Sequence, residues 1–118
     1  IKQDFHMKLR AGGWLRFKDV DFGRAGEAVA AREAVSCENS QIKDAFVEFR
    51  LDSPTGPVIA EAPVKFTFML VYHATLTAPL TRAVEGVHDL YIAARGSGGD
   101  AYGRLFNLNW FTFVRAPG

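Results

Sequence analysis

The sequence is poor in the features that most readily announce a function. It holds one cysteine, Cys37, in 118 residues, so no internal disulfide can form and no zinc cage can be built on thiolates. Charge of one sign is equally scarce: 14 Lys and Arg stand against 13 Asp and Glu, a formal net charge of +1 with no long run of either sign. A nucleic acid or an anionic membrane calls for a concentrated basic face, so neither is expected as a partner. No apolar stretch reaches the ~18–20 residues that cross a bilayer, and the most apolar segment, Phe66 to Leu80, is broken by Tyr72, His73 and several threonines. Sustained 3.6-residue periodicity is nearly absent, which argues against helical crossovers. Neither end reads as a natural start or stop, so a module taken from a longer protein is expected.

What is present is a globular composition, 48% hydrophobic and 23% charged, of the usual size for one domain around a single core. Short β-rich runs are cut by turn residues at Gly12-Gly13, Gly23 to Gly26, Glu38-Asn39-Ser40, Ser53 to Pro57, Pro79, Gly86 and the Gly96 to Gly103 loop. The punctuation predicts about eight strands: Phe5 to Ala11, Trp14 to Phe22, Ala28 to Val35, Ala45 to Asp52, Val58 to Val64, Phe66 to Thr77, Val87 to Ala94 and Arg104 to Val114. In Phe46 to Leu51, Val47, Phe49 and Leu51 share one face while Phe46, Glu48 and Arg50 share the other. The alanine-rich Gly26 to Val35 segment is the ambiguous one, read as strand because a lone helix would interrupt the order. The expected fold is all-β, an antiparallel β-sandwich of jelly-roll form.

Most chemical motifs dissolve on inspection. Asp21-Phe22-Gly23 spells the metal-binding triplet of protein kinases, but the chain is far too short and lacks the glycine-rich strand pair, lysine and catalytic loop. The glycine-rich stretch from Gly96 to Gly103 has no Gly-Lys-Ser/Thr behind it and reads as an edge loop whose Tyr102 is a candidate contact residue. His6, His73 and His88 sit on different predicted strands and make no metal-ligand set, and no nucleophile elbow is present. Catalytic residues are therefore expected to be none. The aromatics are more informative: ten Phe, three Tyr and two Trp. Phe17, Phe22, Phe49 and Phe106 are assigned to the core, whereas Trp and Tyr join an apolar face to a polar edge, which suits a sugar ring. Trp14, directly after Gly12-Gly13, falls at the rim of a strand.

Four stretches in order carry a resemblance: Gly13-Trp14-Leu15-Arg16-Phe17-Lys18-Asp19-Val20-Asp21-Phe22-Gly23; Val47-Glu48-Phe49-Arg50-Leu51-Asp52-Ser53-Pro54-Thr55-Gly56-Pro57-Val58-Ile59; Gly86-Val87-His88-Asp89-Leu90-Tyr91; and Leu105-Phe106-Asn107-Leu108-Asn109-Trp110-Phe111-Thr112-Phe113. Together, over residues 13 to 114, they resemble a family 6 carbohydrate-binding module, the β-jelly-roll attached to secreted polysaccharide-degrading enzymes. The resemblance implies an edge cleft in which two aromatics clamp a sugar ring and an asparagine bonds its hydroxyls. Trp14 matches the first aromatic and Asn107 the asparagine, whose amide both donates and accepts. At the second aromatic the family's Thr-Gly-Gly-Trp loop is replaced by Thr67-Phe68-Met69-Leu70. Either Tyr72 or Tyr102 substitutes there, or binding moves to the concave sheet face, the family's second site, or the segment has become strand. The family's structural calcium would fall to Asp4 and to Asn109, the latter standing where an acid is usual; no cofactor is required.

The expected function is thus non-catalytic: one module binds a plant or algal polysaccharide of xylan or β-glucan type and holds a linked catalytic domain, a glycoside hydrolase, on its substrate. An extracellular or periplasmic setting follows from the same resemblance. Two rivals are a structural sandwich packed on a catalytic domain through a face around Phe66, Phe68 and Leu70, and a small β-sandwich hydrolase or lyase with Arg16, Glu48, Arg50 and His73 converging in a groove.

Overall fold

The computed structural model describes residues 7–69, 72–100 and 102–117. Among these, eight strands follow one another without a helix: β1 Met7–Arg10, β2 Trp14–Asp21, β3 Ala28–Ser36, β4 Lys43–Leu51, β5 Val58–Pro63, β6 Ala74–Pro79, β7 Val87–Ser97 and β8 Arg104–Arg115. They form two four-stranded sheets, β1-β8-β3-β6 and β2-β7-β4-β5, and every pairing is antiparallel. Consecutive strands mostly alternate between the sheets, the jelly-roll arrangement expected from the turn spacing. The alanine-rich segment is strand: Ala31 and Val35 are buried between the sheets, and alternation gives their neighbours to the outer face.

Alternation also explains the core. Val47, Phe49 and Leu51 of β4 and Leu90, Ile92 and Ala94 of β7 point inward, and all are nearly free of solvent contact. Phe111 meets them from the first sheet, its ring 4.8 Å from that of Phe17 and 6.3 Å from Phe49. Phe22 packs on Phe113 at 4.9 Å. Each fully buried side chain of this kind contributes roughly 1.5–3 kcal/mol by leaving water. Of the phenylalanines assigned to the core, Phe22, Phe49 and Phe106 are buried and Phe17 is partly buried against the cluster.

The predicted sixth strand needs correction. Pairing begins only at Ala74, and Phe66 to Met69 is a loop. The Thr67 N–H donates to the Cys37 carbonyl at 2.8 Å, and its Oγ1 accepts from the Cys37 N–H at 2.8 Å. Phe68 takes a left-handed φ of 74°, which a bulky residue adopts in a turn and not in a strand, and is 70% exposed. Backbone bonds to the β3–β4 connection thus replaced the ladder that a β-prone run would otherwise form. The amino-terminal part of the first predicted strand, with Phe5, lies outside the described residues.

Candidate functional site

Two depressions lie on opposite outer faces of the sandwich. The first is a groove of about 630 Å³ on the β2-β7-β4-β5 sheet. Register places Trp14 beside Ala93 and Ala93 beside Glu48, so the small Ala93 is a floor between an indole wall and an acidic one. Trp14 keeps 47% of its surface exposed and stands edge-on to the Tyr91 ring at 5.2 Å. On the far wall the Glu48 carboxylate is buried and accepts from Arg50 Nε at 3.2 Å and from Arg95 Nε at 2.8 Å. Arg50 Nη1 donates to the Gly56 carbonyl at 2.7 Å, tying the wall to the β4–β5 turn. Arg95 lies over the Phe46 ring at 4.3 Å and reaches Glu61. Its bond to Glu48 raises its already high pKa, and the network engages both carboxylate oxygens of Glu48. An apolar plate facing oriented donors and acceptors across a narrow floor is the chemistry that grips a flat polyhydroxylated ring.

The second depression, about 500 Å³, lies at the loop end of the other sheet. Lys8, Asn107 and Ser36 form one cross-strand row on its floor. Asn107 and Ser36 are buried there, and Asn107 Nδ2 donates to Ser36 Oγ at 3.3 Å. Two ion pairs wall the cleft, Lys8 with Glu38 at 3.1 Å and Arg104 with Asp100 at 2.8 Å. Asp100 is drawn below its ordinary pKa: desolvation pushes it up, but the N–H groups of Arg104 and Tyr102 and the Arg104 side chain together outweigh that. The one aromatic in the cleft lining is Phe106, which is itself buried. The floor and walls of the cleft are therefore polar and charged, and the aromatic among its lining residues is buried.

The model of the family described as carbohydrate binding module (family 6) matches residues 7–115. The chain belongs to that family. An arabinoxylan arabinofuranohydrolase of Paenibacillus polymyxa is 30% identical over 110 residues, covering 93% of this chain and 16% of that protein. A family 6 module from Clostridium cellulolyticum, solved in complex with xylose, is 28% identical with a TM-score of 0.77, covering 97% of this chain and 88% of that one. A β-1,3-glucan-binding family 6 module from Bacillus halodurans is also 28% identical, with a TM-score of 0.75 over 92% of this chain and 73% of that one. The chain spans about a sixth of the curated relative's length.

Within this family 6 fold the residues singled out by sequence do not gather at one place. Trp14 lines the sheet groove and Asn107 the loop-end cleft, on different sheets. Tyr102, 69% exposed, sits at the cleft rim, its ring 4.9 Å from the Arg104 guanidinium carbon. Tyr72 is exposed on the β5–β6 loop, its N–H bonded to the Met69 carbonyl, and lines neither depression. Of the calcium candidates, Asp4 lies outside the described residues. Asn109 spends its Nδ2 on His73 Nε2 at 2.6 Å, and no three His, Cys, Asp or Glu side chains converge among the described residues. Of the four residues of the enzymatic rival, Arg16, Glu48 and Arg50 share one outer sheet face, whereas His73 bonds Asn109 of β8 in the other sheet, so the four do not converge. Sequence reasoning did not assign Arg95, Ala93 or Lys8; the alternation of β4 marked Glu48 and Arg50 as outward, but only the register shows that they face Trp14.

Proposed function

We propose that this family 6 module binds a β-linked xylan or glucan strand in the groove of the β2-β7-β4-β5 sheet and takes no chemical part in its breakdown. The observation that carries the reading is the half-exposed indole of Trp14 across the Ala93 floor from the Glu48, Arg50 and Arg95 network. The xylose-bound and β-1,3-glucan-binding relatives support a neutral plant-type glycan as the ligand class. Each hydroxyl bond replaces one to water and adds only about 1 kcal/mol, so a single module binds modestly. In the longer protein from which we take the module to come, joined to a glycoside hydrolase outside the cell or in the periplasm, tethering keeps that enzyme close to its substrate by raising the local concentration. Calcium is not needed at the groove, where the acid is already held by two arginines.

Affinity electrophoresis against xylans, mixed-linkage glucans, laminarin and agarose tests the reading, followed by titration of the matching oligosaccharide while the Trp14 indole N–H resonance is observed. Retardation that a chelator leaves unchanged, with a shift at Trp14, is expected. Retardation with shifts confined to Asn107 and Tyr102 would instead favour the loop-end cleft, whose buried Asn107–Ser36 floor is the specific feature behind that second reading.

A further inference from the structure

Glu33 occupies a place that sugar binding does not use. It lies on β3 between Ala31 and Val35, all three pointing between the sheets, and is 0% exposed. Directly across from it stand Leu76 of β6 and Phe111 of β8. The opposite sheet presents Phe17, Phe49 and Ile92 from β2, β4 and β7. None of these facing groups is charged or titratable; among the described residues the other buried titratable side chains are Cys37, Glu48 and Tyr91, and the last two lie in cross-strand rows on the outer face of the opposite sheet. Neither oxygen of Glu33 has a hydrogen-bond partner among the described residues. A carboxylate stripped of water and of donors is far less tolerable than the neutral acid, so such a group keeps its proton.

We propose that Glu33 is a proton-dependent lock between the two sheets: the folded domain holds it as a neutral acid, unfolding releases the proton, and rising pH therefore weakens the sandwich. Burial pushes its carboxyl from 4.5 up to about 8, in agreement with that placement. Below about 4.5 both folded and unfolded chains carry the proton, and the stabilisation is complete. Between about 4.5 and about 8 only the folded chain carries it, so each pH unit multiplies the unfolding equilibrium constant by up to about tenfold. Above about 8 both states are ionised and the dependence ends. The lock bears on the groove because Phe111, its cross-strand neighbour, packs against Phe17 and Phe49, on the strands that display Trp14 and Glu48.

The test is urea unfolding of the full chain, under reducing conditions, at a series of pH values from 5 to 9, for the native protein and for Glu33→Met. The native protein is expected to lose stability steadily up to about pH 8, and Glu33→Met to lose much less over the same interval. Equal pH dependence in the two proteins, or a flat native profile, overturns the proposal. Should the variant fail to fold, infrared spectroscopy of the native protein at pH 7 decides: a carbonyl band of an un-ionised carboxylic acid that vanishes on unfolding supports the lock, and its absence refutes it.

Discussion

Replacing Trp14 with alanine is the most direct probe of the groove. An aromatic side chain of this kind offers roughly 150–250 Å² of surface. With 47% of it exposed, about 100 Å² is open to a ligand, and a sugar ring lying on one face would cover about 60 Å² of that. At about 25 cal/mol per Å² the lost contact is worth about 1.5 kcal/mol, or about tenfold in Kd. The fold should tolerate the change. Trp14 stands on the outer face of its sheet, edge-on to Tyr91, an aromatic pair that contributes about 0.5–1.5 kcal/mol. Calorimetric titration with the oligosaccharide identified by electrophoresis, together with a thermal melt, measures both quantities. Unchanged affinity in a folded Trp14→Ala protein, alongside lost affinity in Asn107→Ala, would refute the groove and move binding to the opposite face.

Further expectations follow from the contacts around that groove and at the loops. Glu48→Ala leaves Arg50 and Arg95 without their shared acceptor; because both arginines are partly solvated, the cost to stability should be about 1–2 kcal/mol, read from denaturant unfolding, with sugar affinity falling as well. His88 has Nδ1 at 3.0 Å from an Asp52 carboxylate oxygen and Nε2 at 2.8 Å from the Glu85 carbonyl, so only the doubly protonated ring can donate to both. Burial lowers its pKa, but the Asp52 and Glu85 bonds outweigh this and raise it overall. Its contribution to stability is therefore complete below about pH 6.5, the unperturbed histidine value, and fades as pH rises through the raised value. An NMR titration should place His88 above a free histidine and Asp52→Asn should lower it; a native value below that of free histidine contradicts the geometry. Gly98 adopts φ +77°, and a Cβ there would collide with the Gln41 carbonyl oxygen, so Gly98→Ala should cost roughly 1–3 kcal/mol in a thermal or chemical melt.

Much of the architecture is legible in the residues because a strand writes its faces into a period of two. The inward Val47, Phe49 and Leu51 and the outward Glu48 and Arg50 stand as the alternation assigns them. The failure at Phe66 to Met69 has a local cause: phenylalanine and threonine favour strand, but a strand also needs a neighbour, and Thr67 bonds the chain at Cys37 instead. The separation of Trp14 from Asn107 was hidden for another reason. Alternation says which side of its own sheet a residue faces, yet not which sheet its strand joins. Pairing of Trp14 with Ala93, and of Asn107 with Lys8 and Ser36, is long-range information that only the folded register supplies. The burial of Glu33 is hidden in the same way: nothing in an alanine-rich run marks a glutamate as buried until its strand is placed inside a sheet.

The placement of the two depressions has a consequence for how polymer is held. They open from opposite sheets, with the aromatic core between them. A strand lying along Trp14 therefore does not run on to Asn107, and a separate strand in the second depression adds no contact to the first. Any occupant of the loop-end cleft would have to be a different polymer or a distant stretch doubled back on itself. A module loaded on both faces would act as a cross-link, gathering neighbouring strands into a bundle, and would show itself as aggregation or gelling of dilute polysaccharide rather than as higher affinity.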